Sequence, residues 1–343
     1  MKPRLVELLA CPTCGAQLQL CGAETDPASE HEIVAGELVC KSCAERFPIR
    51  GGIPRFLPSK LSAVAERTSA AFGWEWHQFG EIYKEYEAQF LDWIHPIQPD
   101  FFHDKVVLDA GCGNGRHSFY AGRYGARDVV ALDLSDAVET AYANVGKMPN
   151  VHVLQGDIYA PPFPKSGNGG PFDFVYSIGV LHHLPDPEGG FQSLLRFVRP
   201  GGAIFAWVYG SENNAIVHRF INPFRKNITT RFRPSMLPIV AWPMSVVLHG
   251  VVNGIYKPLR KTRLFKMLPS GEYMYSMSKF NFKWNYSIVY DHLVAPVAFY
   301  LRRDEFEAWF QHSDLRDVRI SWRNQNSWRG FGRKGELKSA RTS

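Results

Sequence analysis

The chain has 343 residues, of which 45% are apolar and 21% charged, and a formal net charge of +6. These values are ordinary for a folded soluble protein of one large or two modest domains. Six cysteines over this length do not make a disulfide scaffold, and Met1–Ala10, with two basic residues and a short apolar run, does not read as a signal peptide. The expected location is cytoplasmic, with membrane association depending on where the positive charge sits.

The first element in the chain is a pair of C-x-x-C turns, Cys11-Pro12-Thr13-Cys14 and Cys40-Lys41-Ser42-Cys43, separated by 25 residues. Each turn presents two sulfurs, and two such turns facing each other make a tetrahedral thiolate site for zinc. A redox C-x-x-C would be expected beside a βαβ unit, and none surrounds these pairs. Cys21 is left as a free thiol and His31 as a loop residue. A segment this small cannot fold on apolar burial alone, so the metal, structural rather than catalytic, would be its core. Ser59–Ser69 reads as a linker with some helix. Phe72–Phe79 with Tyr83, Tyr86, Phe90 and Trp93 then reads as a helical stretch packing aromatics on a sheet, with Trp74 and Trp76 as candidates to cover a ligand.

Val106–Gly115, V-V-L-D-A-G-C-G-N-G, is a buried strand that ends in Asp109 and breaks into a glycine-rich turn, with a helix expected from about Asn114. Gly111 and Gly113 let backbone approach a ligand closely, and free N–H groups at the helix start point into the same space. Val129–Asp133 is a second apolar run ending in an acid, at strand–helix–strand spacing from the first and suited to two ribose hydroxyls. Further runs are Val151–Leu154, followed by Gln155-Gly156-Asp157; Phe172–Ser177, leading into Ile178–Leu184; and Ala203–Val208 after an Arg199–Gly202 turn. A long insertion, Gly210–Leu301, precedes a helix over Arg302–His312, a strand over Leu315–Trp322 and a reversed strand over Ser327–Arg333. Lys334–Ser343 is expected to fray.

The insertion holds the positive charge: Ser211–Phe280 has 11 Lys and Arg against 2 Asp and Glu. Within it, Met236–Tyr256 is largely apolar but carries Pro238, Pro243, His249 and Asn253, which argues against a membrane span. Basic residues flank it, and two readings stay open: a segment lying on an anionic membrane, or a helical cap with a solvated basic rim. Nucleic-acid binding ranks behind both. Phe280–Leu293 concentrates aromatics around Asp291 and His292.

The pieces L-D-A-G-C-G-N-G, A-L-D-L-S, Q-G-D-I, F-D-F-V-Y-S-I-G-V-L-H-H-L and V-R-P-G-G stand in the order and spacing of the class I S-adenosylmethionine-dependent methyltransferases, type 11 group, which residues 101–209 resemble. An NAD-binding G-x-G-x-x-G would put its third glycine three after the second, whereas Gly115 comes two after Gly113. Residues 1–58, from L-L-A-C-P-T-C-G to F-P-I-R-G-G-I-P-R-F-L-P, resemble the Trm112-like zinc ribbons, which serve methyltransferases as partners or activators. Together the resemblances imply an α/β fold: a doubly wound, seven-stranded Rossmann-like sheet (101–343), a zinc ribbon (1–58) on Cys11, Cys14, Cys40 and Cys43, an aromatic lid segment (59–100) and a cap (210–301). They imply that Gly111 and Gly113 line the methionine part of S-adenosylmethionine, with Asp109 a cofactor-binding acceptor at the carboxyl end of the first strand. Asp133, with Leu134 beside it, would hold the ribose, Asp157 and Ile158 the adenine, and Ser177 and Ile178 would lie under the methyl group.

Methyl transfer is an in-line displacement, so the protein chiefly aligns and desolvates the reactants. A hydroxyl acceptor also needs a base, for which His182, His183 and His292 are candidates. Trp76, Tyr286, Tyr290 and Asp291 are the candidate substrate contacts. Strand four lacks an Asn/Asp-Pro-Pro-aromatic motif, which disfavours exocyclic nitrogens, and no Pro-Cys pair follows it for attack on a pyrimidine. The expected enzyme methylates a hydroxyl or other heteroatom of a small, lipid-linked or glycan substrate. An RNA methyltransferase and a non-catalytic cofactor-binding partner protein are the alternatives.

Overall fold

The computed structural model describes residues 1–27, 29–164, 169–215 and 217–336. The N-terminal segment forms β1 (Leu18–Asp26), β2 (Ser29–Cys40), β3 (Arg46–Arg50) and β4 (Ile53–Phe56), an antiparallel meander. His31 lies within β2 rather than a loop, and its side chain falls outside the described residues. Two helices follow, α1 (Ala63–Gln78) and α2 (Glu85–Ile94). The Ser62 hydroxyl accepts from the Ala65 amide at 3.1 Å and starts α1, so little of the expected linker is left.

The core then alternates strand and helix: β5 (Val106–Ala110), α3 (Arg116–Arg123), β6 (Asp128–Asp133), α4 (Ala137–Val145), β7 (Val151–Gly156), β8 (Phe172–Ile178), α5 (Pro187–Leu195) and β9 (Val198–Tyr209). Arg199–Gly202 is not a free turn. It lies inside β9, where Gly201 takes φ +74° and the register against β8 slips between Phe172 and Phe174. The chain ends in α11 (Arg303–Gln311), β10 (Leu315–Arg323) and β11 (Ser327–Lys334), after the insertion helices α6 (Asn222–Asn227), α7 (Leu237–Val251), α8 (Lys257–Leu259), α9 (Gly271–Met277) and α10 (Phe282–Val294). Lys334 does not fray: its ammonium donates to the Leu195 and Val198 carbonyls. Residues 337–343 lie outside the described residues.

All strands join one sheet in the order β1-β2-β3-β4-β7-β6-β5-β8-β9-β11-β10. β7, β6, β5, β8 and β9 run parallel, and β11 runs antiparallel to β9 as the reversed strand. Alternate residues of the parallel strands bury into opposite layers. Leu108, Val130, Leu132, Val175 and Ile204 pack with Phe191 of α5 and Phe306 and Phe310 of α11. Val107, Val129, Val153, Phe174 and Phe205 pack with Phe90 and Trp93 of α2, Tyr120 of α3 and Val138 of α4. The order reverses at β5/β8, and in such sheets a ligand site lies there, beyond the carboxyl ends of the strands.

The N-terminal meander extends this sheet. β4 pairs parallel with β7, Arg55 opposite Gln155 and Phe56 opposite Gly156. Arg55 donates to Gln155 Oε1 at 2.7 Å and pairs with Glu139, and Lys2 donates to the carbonyls of Gly146 and Val151. The insertion is clamped at its base by a Gly210–Leu301 bridge. Its own core joins Leu237 and Ala241 of α7 to Val289, Tyr290 and Leu293 of α10 and Ala71 of α1.

Candidate functional site

A continuous cavity opens at the β5/β8 reversal and runs beneath the cap. Its floor is the turn after β5. Gly111, Gly113 and Gly115 take φ of +86°, +53° and +81°, values costly for any residue with a Cβ. A Cβ on Gly113 would stand 2.8 Å from Trp76 Nε1, so the turn is also where the lid closes on backbone. The Gly113 amide donates to Asp133 Oδ2 at 2.9 Å, while the Ser135 amide and hydroxyl donate to Oδ1 at 2.8 and 2.7 Å. This fixes the Asp133 carboxylate at the tip of β6, facing the cavity. Burial pushes its pKa up, against those hydrogen bonds. Asp157, one strand over, accepts from the Tyr159 amide at 2.9 Å, and burial raises its pKa as well. Gly111, Gly113, Asp133, Leu134, Asp157, Ile158 and Ile178 all line the cavity.

Asp109 and Ser177 do not line it. Asp109 Oδ2 accepts from Ser118 Oγ at 2.6 Å, which pins α3 to β5 under the turn, and Ser177 Oγ donates to the Ala110 carbonyl at 2.8 Å. Both shape the floor from below. Burial pushes the Asp109 pKa up to about 7, with Ser118 and Tyr176 holding it down. An acid protonated more readily in the folded state than its unfolded value of about 4 stabilises the fold fully below that value. The contribution disappears as pH rises through about 7. Urea denaturation of the wild type and Asp109→Asn at about pH 5 and about pH 8 is therefore expected to show the wild type losing about 3 kcal/mol more than the variant across that interval.

The roof comes from α1, α10 and the segment after α10. Ala65, Thr68, Ser69, Phe72, Glu75 and Trp76 reach in from α1. Asn144 Nδ2 ties the α1 end to the turn through the Gly80 and Asn114 carbonyls at 2.7 and 2.9 Å. Of the expected substrate contacts, Trp76 and Asp291 line the cavity, whereas Tyr286 and Tyr290 do not. Helical phase explains the split. Trp284, Ser287, Ile288 and Asp291 of α10 face the cavity, and Tyr286 and Tyr290 point back at α1. There Tyr286 meets Phe79 edge-on at 5.2 Å and Tyr290 stacks on Trp74 at 5.1 Å.

The three histidines also separate. His182 is wholly buried, does not line the cavity, and packs its ring on Tyr209 at 4.0 Å. His183 and His292 do line it. His183 Nδ1 lies 2.7 Å from the Val297 carbonyl, an acceptor, so Nδ1 carries the proton and Nε2 keeps a lone pair; Nε2 has no hydrogen-bond partner. Burial lowers the pKa of both residues, Asp291 opposing and the Arg225 charge assisting, so both are neutral at physiological pH. His292 Nε2 lies 3.3 Å from the Tyr273 hydroxyl.

Several lining groups escaped the sequence reading. Glu75 is buried, and burial, then repulsion from Asp291, pushes its pKa well up against the pull of Arg116. The Arg116 guanidinium lies 4.8, 5.0 and 5.3 Å from the rings of Trp76, Tyr86 and Trp93. Tyr209 donates to Asp291 Oδ2 at 2.6 Å, and Tyr300 stacks on Tyr209 at 5.5 Å. Arg225, 1% exposed, stands behind this cluster with Nε and Nη2 unpartnered. None belongs to a recognisable motif, and they come from α1, α3, α6, β9 and the segment after α10, so no local pattern signalled them.

The four cysteines of the N-terminal segment converge outside this cavity. Their ligand atoms lie within 4.8 Å of one another, with Cys11–Cys43, Cys14–Cys40 and Cys14–Cys43 sulfur distances of 3.7, 3.4 and 3.6 Å. A tetrahedron of zinc–sulfur bonds about 2.3 Å long has edges of about 3.8 Å, so the donor set fits. Cys21 stands apart on β1 as a free thiol.

Residues 108–206 match the methyltransferase domain family, and residues 2–52 match the Trm112p-like protein family. The chain is 31% identical over 191 residues to a tRNA U34 carboxymethyltransferase of Pseudoalteromonas translucida, covering 54% of this chain and 52% of that protein. It is 24% identical over 212 residues to a ubiquinone biosynthesis O-methyltransferase of Pseudomonas fluorescens, covering 56% and 88%. Among solved structures, human N-acetylserotonin methyltransferase in complex with SAM aligns with a TM-score of 0.43 at 12% identity, over 80% of this chain and 57% of that one. The chain spans about half the length of the tRNA U34 relatives it matches. Residues 108–206 thus match a methyltransferase domain, and residues 2–52 a Trm112p-like module whose four cysteines are placed to hold zinc.

Proposed function

We propose that the chain transfers the methyl group of S-adenosylmethionine to a heteroatom, a hydroxyl oxygen, of a small-molecule or lipid-linked acceptor held beneath the cap. The observation that carries this reading is the continuity of one cavity from Gly111, Gly113, Asp133 and Asp157 to His183, Asp291 and His292. The cofactor would supply a methyl group activated by the adjacent sulfonium. Asp133 would accept from the ribose hydroxyls and Asp157 from the adenine amino group, with Ile158 against the ring. Gly111 and Gly113 would let the methionine part pass close to backbone. At the other end of the cavity, His183 Nε2 would take the acceptor's proton, and the Val297 carbonyl holds the tautomer that permits it. Asp291, held by Tyr209, would orient the acceptor, and Trp76 would cover it.

An RNA acceptor is the second reading, favoured by the names of the tRNA-modifying relatives and by the basic insertion. Cell extract incubated with methyl-labelled donor separates the two. Label in the lipid or small-molecule fraction supports the first reading, and label in RNA supports the second. Label no greater than with Asp133→Ala in any fraction would contradict both.

A further inference from the structure

The outer face of the cap has no part in the cavity, yet it is the least water-adapted surface among the described residues. Of the 16 large hydrophobic side chains that are exposed, 12 lie between Phe220 and Met267. Ile239 is 75% exposed, Trp242 56%, Val247 66% and Met267 80%. Single exposed apolar residues need no explanation, but a contiguous set on one helix and its flanks does. Between α7 and α9 the surface sinks into a groove lined by Pro243, Met244, Val247, Leu248, Val251 and Met274, with no polar side chain among them.

The charge around this face has one sign. From Asn213 to Gly271 the sequence has ten Lys and Arg and no Asp or Glu. Lys226, Arg231 and Arg233 precede α7, and Lys257, Lys261, Arg263 and Lys266 follow it. All seven are exposed, and none makes an ion pair among the described residues. An apolar face rimmed at both ends by unpaired cations complements an anionic leaflet, whose acyl region takes the hydrophobic residues and whose headgroups take the charges.

The helical run Leu237–Leu259 is 23 residues long and apolar enough to span a bilayer by length and composition. Its packing argues for lying flat. Leu237, Ala241, Ser245, Val252 and Tyr256 form a buried stripe on the globular side, and His249 Nδ1 meets the Asn285 amide of α10 at 2.9 Å. Spanning would strip that stripe from the helix that carries Asp291. The opposite side, with Ile239, Trp242, Met244, Val246 and Val247, is left outward. Around Trp242 the patch is aliphatic, with Ile239, Met244, Val246 and Val247 and no run of aromatic rings on which successive bases would stack, which places RNA behind lipid for this surface.

We infer that the outer face of α7, with the flanking segments from Phe220 to Met267, docks the protein on the anionic leaflet of a membrane. α7 packs against α10, so docking would set the substrate end of the cavity next to the bilayer. This surface does not depend on which acceptor is methylated, and its test needs no methyl donor.

Flotation of the full chain with vesicles decides the matter. Binding is expected to phosphatidylcholine vesicles containing about 30 mol% phosphatidylglycerol and to fall roughly tenfold on pure phosphatidylcholine or in high salt. The exposed-face variant Ile239→Glu/Trp242→Glu/Val247→Glu should lower binding to anionic vesicles by about tenfold or more while keeping the wild-type circular dichroism and melting curve. Lys261→Glu/Arg263→Glu/Lys266→Glu should lower it comparably. Trp242 gives a local readout: a blue shift of tryptophan emission on anionic vesicles should be lost in Trp242→Phe. Absence of flotation at low salt would overturn the inference. So would retention by the folded apolar variant, a stable dimer that buries Trp242 and does not float, or salt-sensitive binding of RNA without binding of vesicles.

Discussion

Replacing Cys11 and Cys40 by serine is expected to abolish stoichiometric zinc retention and to lower the melting temperature by roughly 10 °C or more. Both cysteines are buried, at 1% and 2% exposure, inside a module with eleven other buried hydrophobic residues among those described, Leu5, Leu18, Leu38, Phe47 and Ile49 included. A core of that size does not fold a segment of some fifty residues unaided. The effect should reach past the module, because β4 is a strand of the main sheet. Losing it leaves the edge of β7 unpaired at Gln155 and Gly156 and releases the Arg55 contacts to Gln155 and Glu139. Asp157 follows directly on that edge. Cofactor affinity should therefore fall together with stability. Metal analysis and thermal melts of the wild type and variant check this, and an unchanged melt in a zinc-free variant would show that the module holds itself by packing alone. A fall in both would fit a Trm112p-like module that supports the edge of the sheet next to Asp157.

His183→Asn is expected to reduce turnover about 10²- to 10⁴-fold while leaving cofactor affinity within a few-fold of wild type. Asparagine can still donate to the Val297 carbonyl, so the loop after β8 should keep its shape while the lone pair at Nε2 is lost. The pH profile follows from the same residue. Burial lowers its pKa below the ordinary histidine value of about 6.5, and a base works only when unprotonated. The rate should therefore be flat above neutrality and fall only as acid protonates His183. Equal turnover in wild type and variant would move the role to His292 or remove the need for a base. His182→Asn serves as a control for stability, since that ring packs on Tyr209 outside the cavity.

The strands of the core were legible in the sequence for a physical reason. Strands covered on both faces are continuous apolar runs, and β5 to β8 each end against a glycine, an acid or both, at the edge where a ligand site opens. The metal site was legible because four sulfurs on two tight turns need no knowledge of the rest of the fold. The base of the insertion was legible too, since Gly210 and Leu301, read as its limits, form the bridge that closes it.

What was lost was side-chain direction. Tyr286 and Tyr290 sit one residue before Ser287 and Asp291 respectively, and on α10 that step turns a side chain from the cavity to α1. His182 and His183 divide in the same way. Asp109 and Ser177 belong to the expected motifs but act beneath the turn rather than in the cavity. Glu75, Arg116, Tyr209 and Tyr300 come together only through tertiary packing of distant segments, a level at which local periodicity carries no signal.

We propose that the glycine turn and the acids at the tips of β6 and β7 hold an adenosyl sulfonium. Titration calorimetry of S-adenosylmethionine and its demethylated product into the full chain tests it most directly, run side by side with Asp133→Ala of matched melting temperature. Measurable binding to the wild type is expected, with a loss of roughly 30-fold or more in the variant, the scale of about 2 kcal/mol for a charge-assisted hydrogen bond. No heat with either compound, or equal affinity in both proteins, would contradict it.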